Sequence, residues 1–186
     1  LSGEPAGPPE PVLARLRSPD TWCEAAADLA ALGDRRALAP LVAAFDAPWE
    51  TSRLCLLDAM RDLGAVDEAS RLMGSQDAEE RRLGARLADL LADEGHLAAL
   101  ERAVTDEEPR VRAAAREALA HQRRTPAWEA TAARLLGSTD PSVRALAVGF
   151  LAGRRGEAPR AALRARLPDE PDAELRAAIE AALSAT

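Results

Sequence analysis

Val143, Ala147 and Leu151 stand four residues apart, so one apolar stripe runs along a helix that opens at "DPSVR". The stripe returns at Val111, Ala115 and Leu119, and again at Leu175, Ile179 and Leu183, which sets three helix starts in one register. Upstream, Thr21 opens a copy with Ala25, Leu29 and Leu32, and Ser52 opens one with Arg53, Met60 and Leu63. Glu80 and Arg81 open a weaker copy, in which Glu80 and Gly84 occupy apolar places. A second stripe follows the first: Leu38, Leu41 and Phe45 correspond to Leu97, Leu100 and Val104, and Leu163 and Leu167 take the last two places later on. Each repeat therefore predicts two short antiparallel helices and a turn, punctuated by Gly33, Gly74, Gly137 and the "PDEPD" at Pro168. First-helix starts near 21, 52, 80, 111, 143 and 175 divide residues 12–186 into about six helix pairs, so the fold class is all-α. The opening "LSGEPAGPPEP", residues 1–11, has four prolines and no apolar face and reads as a disordered leader or linker.

One polar position repeats as strictly as the stripes. Arg53, Arg81, Arg112, Arg144 and Arg176 each stand one place after the start of a first helix, where the positive end of the helix dipole disfavours a cation. In four repeats an acid precedes the arginine by four residues: Asp77, Glu108, Asp140 and Asp172. Stacked repeats supply a reason for the misplaced charge. A guanidinium near the acidic start of its own or an adjacent unit makes charge-assisted bonds that outweigh the dipole term. The rival reading is a row of arginines displayed to an anionic ligand.

The pattern D-x-x-V-R-x-x-A-x-x-x-L, seen in "DPSVRALAVGFL" and approximately in "EPRVRAAAREAL", resembles HEAT repeats, in particular the short HEAT-like repeats also found in phycobilin lyases. The resemblance implies an α-solenoid, a right-handed superhelix of helix pairs in the armadillo-like class. It also implies that the Asp/Arg series is a structural inter-repeat ladder. Such arrays serve many tasks, so the fold does not carry a function with it.

Composition narrows the chemistry. Aromatic residues are 3% and tyrosine is absent, so the core is built of alanine and leucine. All 24 basic residues are arginine, a bias of GC-rich genomes that points to a bacterial source. With 31 acids the net charge is −7 and the pI about 5.0, a field that repels phosphate backbones and disfavours nucleic acid. No apolar run approaches the roughly 20 residues of a membrane span. Cys23 and Cys55 lack metal or C-x-x-C spacing and read as reduced packing thiols, which places the chain in the cytoplasm. His96 and His121 have no H-E-x-x-H or Cys/His partner, and no glycine set forms a phosphate loop, so no catalytic, metal or cofactor residue is named.

Tryptophan is more informative. Trp128 falls on a second-helix core place. Trp22 takes the place where the other repeats have arginine, and Trp49 follows Pro48 at a helix start. With Arg53 they form a candidate partner-binding patch near the first inter-repeat groove, the alternative being that they seal the N-terminal end of the array. The leading functional expectation is a non-enzymatic scaffold that binds another protein on its concave or N-terminal face. The alternatives are a chromophore-handling subunit resembling the bilin lyases and, behind it, a HEAT-like DNA glycosylase or other nucleic-acid binder.

Overall fold

The structure, a computed structural model, describes residues 7–48, 53–122 and 125–185. In chain order its α-helices are α1 (Glu10–Arg15), α2 (Trp22–Leu32), α3 (Leu38–Asp46), α4 (Leu54–Asp62), α5 (Ala65–Leu72), α6 (Ala78–Leu91), α7 (Leu97–Ala103), α8 (Pro109–His121), α9 (Pro126–Leu135), α10 (Pro141–Ala152), α11 (Glu157–Arg166) and α12 (Ala173–Ser184). The fold is all-α and of the solenoid class. The even-numbered helices from α2 to α12 are the six first helices, each starting within two residues of its expected place. The odd-numbered helices from α3 to α11 are their second helices. The leading α1 takes in Glu10 and Pro11, so helix begins before the expected boundary at Val12, with proline in the first turn where its missing N–H is harmless.

The chain divides into two compact units, 1–91 and 92–186, so the division falls inside the third expected pair, between α6 and α7. Ala92, with φ 47°, begins the second unit. Within the first unit α2 packs on α1 and α4, α3 on α4 and α6, and α5 on α4 and α6. Within the second, first helices pack on first helices (α8 on α10, α10 on α12) and second on second (α7 on α9, α9 on α11). Every stripe residue of α8 and α10 (Val111, Ala115, Leu119, Val143, Ala147 and Leu151) is buried. Gly33, at φ 66°, ends α2, and Gly64, at φ 72°, turns the chain from α4 into α5, conformations that L side chains resist.

Two sequence oddities acquire causes. Gly84 fills an apolar place because α6 crosses α5 there at backbone distance: a Cβ would lie 2.7 Å from the carbonyl oxygen of Ala69 and from the nitrogen of Met73. Alanine in an open helix gains about 1 kcal/mol over glycine. At this crossing overpacking costs about 1–3 kcal/mol or more, and the neighbouring atoms are backbone that cannot swing away. Gly84→Ala should therefore lower the urea midpoint; a raised midpoint would mean that the two helices stand further apart.

The second oddity corrects an expectation. Cys23 and Cys55 are not separate packing thiols; they form a disulfide between α2 and α4. The two helices lie side by side, and the repeat brings their Cα atoms to 5.4 Å, inside bridging range. The repeat register sets the two at offsets two and three of adjacent units, 32 residues apart, and packing is only the default for thiols in helices.

Candidate binding surfaces

Each repeated arginine turns back to the loop before its own helix. Arg81 donates through Nη1 to the carbonyls of Ser75 (3.1 Å) and Gln76 (2.9 Å). Arg112 does the same to Asp106 (2.7 Å) and Glu107 (3.0 Å), and Arg144 to Ser138 (3.0 Å) and Thr139 (3.1 Å). Arg176 reaches the carbonyl of Glu170 at 2.8 Å, and Arg53 that of Ala47 at 2.7 Å. In all five the acceptor lies six residues back. Carbonyl dipoles thus balance a charge that the helix dipole alone would oppose.

The acids four residues back do other work. Asp77, Glu108, Asp140 and Asp172 cap their helices, each carboxylate accepting from the amide two residues on: Glu79, Arg110, Ser142 and Glu174. A third position closes the motif. The side chains of Ser75, Asp106, Ser138 and Glu170 accept from the amides of Asp77, Glu108, Asp140 and Asp172 at 2.9–3.2 Å. The bonds of the repeated arginines to the preceding carbonyls and the caps made by the acids together form a loop lock at the start of each of these helices. The carboxylates accept from first-turn amides, and the guanidinium groups donate to the loop carbonyls. Asp140 also pairs with Arg116 of the preceding repeat.

Arg144 goes further than the others. Its guanidinium also grips Glu170 with Nε at 3.0 Å and Nη2 at 2.8 Å, and Arg166 adds a bond at 2.9 Å. Both partners are buried, Arg144 at 4% exposure and Glu170 at 1%. The Arg144 bonds above all, with those from the Asp172 amide and Arg166, overcome burial and hold the Glu170 carboxyl down at about 2. A second series of ion pairs links second helices to the turns or helices of neighbouring repeats: Arg35 with Glu68, Arg134 with Glu101, and Arg154 with Glu129.

Of the expected N-terminal patch, Trp22 and Arg53 fall among the described residues. Trp22 is 2% exposed and shares a core cluster with Leu16 and Leu29, because α1 packs on α2 and covers the place where other repeats carry arginine. It offers no surface to a partner. Trp49 lies outside the described residues. Arg53 is half-buried, over the Phe45 ring at 5.3 Å. Trp128 is in the core, 4.9 Å from Phe150. His96 is buried and His121 exposed at the end of α8.

Open surface in the first unit lies around α3. Its solvent side presents Ala39, Pro40 and Ala43, and Asp46 is the single charge in the helix. On one flank a groove of about 370 Å³ runs past Leu13 of α1 and Leu16 just beyond it. On the other, a groove of about 400 Å³ has Val42, Ala43 and Leu83 as its floor and Asp46, Asp77, Glu79, Glu80, Arg82 and Arg86 on its rim. Arg86 bridges the two walls by pairing with Asp46 at 2.5 Å, and Arg82 pairs with Glu79 at 2.8 Å.

Residues 97–184 match the family model of HEAT repeats. Nearly half of the chain is thus built of HEAT repeats. Its repeats are similar in fold to the complex of CpcE and CpcF of phycocyanin lyase from Nostoc sp. PCC7120, at 23% identity and a TM-score of 0.50, over 81% of this chain and all of that one. A designed armadillo repeat protein in complex with the peptide (KR)4 aligns at 17% identity and a TM-score of 0.48, over 93% of this chain and 97% of that one. No curated protein matches the chain. No helix among the described residues is long and apolar enough to cross a membrane.

Sequence reasoning missed the α3 surface because it followed the conserved-looking arginine place rather than the absence of charge. The signal was present: "LAPLVAAF" runs eight residues without a charge in a chain that is 30% charged. It also missed the locking residues at Ser75, Asp106, Ser138 and Glu170, although all four are polar and equally placed.

Proposed function

We propose that this HEAT-like protein is a non-enzymatic scaffold that binds a helix of a partner protein along α3. The carrying observation is the uncharged solvent side of α3 with an apolar-floored groove on each flank. A helix presenting apolar anchors fills such grooves while its own polar face stays in water. On the α6 side the rim has four acids against two arginines, and both arginines are already paired, so the complementary helix carries basic residues beside its anchors. The CpcE and CpcF lyase chains form a complex; the likeness to them is one of fold, and lyase chemistry is not taken from it. Nucleic acid is a poor match for a chain of net charge −7.

Compartment follows from the disulfide rather than from the repeats. In a reducing cytoplasm the Cys23 and Cys55 pair would stand largely as thiols, and in an oxidising compartment as the cross-link. Thiol labelling in intact cells decides between them.

Ala43 lines both grooves and its side chain is exposed, so Ala43→Glu should leave the circular dichroism spectrum unchanged. It should weaken a purified partner by about 1–3 kcal/mol, because a carboxylate would be desolvated on an apolar bed. Titration of that partner, first captured with the native chain, measures the effect. Equal affinity for both forms places the site elsewhere.

A further inference from the structure

The turn from α10 to α11, "GRRG" at Gly153–Gly156, faces the end of α12 across a cavity of about 520 Å³ lined by Arg154, Arg155, Arg160 and Ala182 among others. No carboxylate of the described residues lines it. Three arginines in one cavity are a local reversal of sign in a chain of net charge −7. Their commitments differ. Arg154 is neutralised by Glu129 at 2.5 Å and lies over the Phe150 ring, so it forms a wall rather than a free charge. Arg160 spends two donors on carbonyl oxygens, those of Ala185 at 2.9 Å and of Leu183, and neither oxygen cancels its charge. Arg155 is exposed and has no acidic partner among the described residues.

The lip of the cavity adds donors of the same polarity. Gly156 precedes α11 at φ 129°, a conformation that favours glycine, and no side chain caps the helix. Glu157, the acid in the first turn, is drawn along the helix to Arg164 at 2.6 Å. Two guanidinium charges with no carboxylate of the described residues between them, beside uncapped amides, suit a compact anion rich in acceptors.

We propose that this cavity binds a phosphate group, either free or as a monoester, with Arg155 and Arg160 supplying the charge. This is independent of the α3 surface, which lies in the other unit. Isothermal titration of the full chain with inorganic phosphate at low ionic strength should show saturable binding that sulfate displaces and added salt weakens. Arg155→Gln, which alters an exposed side chain and should keep the native melting curve, should weaken phosphate at least tenfold. Arg160→Gln should do the same, but it also removes bonds to the end of α12, so Arg155→Gln is the deciding variant. Phosphoserine binding with no sedimentation on phosphatidic acid vesicles names a soluble ligand. Sedimentation of the native chain on phosphatidic acid but not on phosphatidylcholine vesicles, lost in Arg155→Gln, names a lipid headgroup. Absence of saturable phosphate binding, or equal affinity in Arg155→Gln, overturns the proposal.

Discussion

Replacing Glu170 by alanine should destabilise the chain by about 3–5 kcal/mol, because Arg144 would remain buried with its countercharge removed. Arg166 and the amide of Asp172 lose an acceptor in the same step. Glutamine keeps the shape and some of the hydrogen bonds, so Glu170→Gln should cost less than alanine. The two changes separate charge from packing. The same residue sets a pH dependence whose direction follows from its lowered pKa. A carboxylate held at about 2 instead of 4.5 contributes stability that is complete above about 4.5 and is lost as pH falls through about 2. The amount is on the order of 3 kcal/mol. Urea midpoints of the native chain should therefore fall between pH 5 and pH 2 more steeply than those of Glu170→Gln, and the two curves should converge at the acid end. Parallel curves across that range would mean that Glu170 is not held ionised by its arginines.

Reducing the disulfide should have an effect of similar size in the other half of the chain. A bond between residues 32 apart restricts the unfolded chain by about 3–4 kcal/mol on the loop-entropy account. The helices it joins keep their own packing through Ala25, Leu29, Leu56 and Met60, all buried, so the reduced chain should remain helical. Melting with and without a dithiol reductant should differ by roughly 10 °C. The Cys23→Ser, Cys55→Ser double variant should match the reduced protein and ignore the reductant. Coincident melting curves, or two alkylatable thiols in the air-oxidised chain, would contradict the cross-link.

Much of the fold was legible because it is periodic. Val111, Val143 and Leu175 fix three helices from their stripes alone, and the structure starts each helix two residues earlier only because a cap and a proline or alanine precede the stripe. What was not legible is non-local. Gly84 reads as a defect until α5 is seen to pass within contact of its backbone, and the two cysteines, at offsets two and three of adjacent repeats and so possible neighbours, read as packing thiols until α2 and α4 stand side by side. The repeated arginine was read as structural and bonded near an acidic helix start, which the Arg144 pair with Glu170 of the next repeat resembles, but the bonds to the preceding carbonyls were not read. Sequence spacing brings the acid four residues back onto the same helical face, whereas a long arginine side chain folds back past the helix start to carbonyls two residues further. Trp22 was placed on a surface because its position is polar in other repeats. The preceding α1 turned that position into core.

The proposed interaction surface is tested most directly by placing a photo-crosslinking amino acid at position 43, on the exposed side of α3, and another at position 145, on the exposed side of α10. Irradiated in a native lysate, the chain labelled at 43 should give a discrete adduct with a partner polypeptide. Mass spectrometry should map that adduct to a helical segment with basic residues beside apolar ones. The adduct should vanish when the same segment is added in excess as a synthetic peptide. Labelling at position 145 but not at 43, or an adduct that the peptide does not displace, would contradict a partner helix seated along α3.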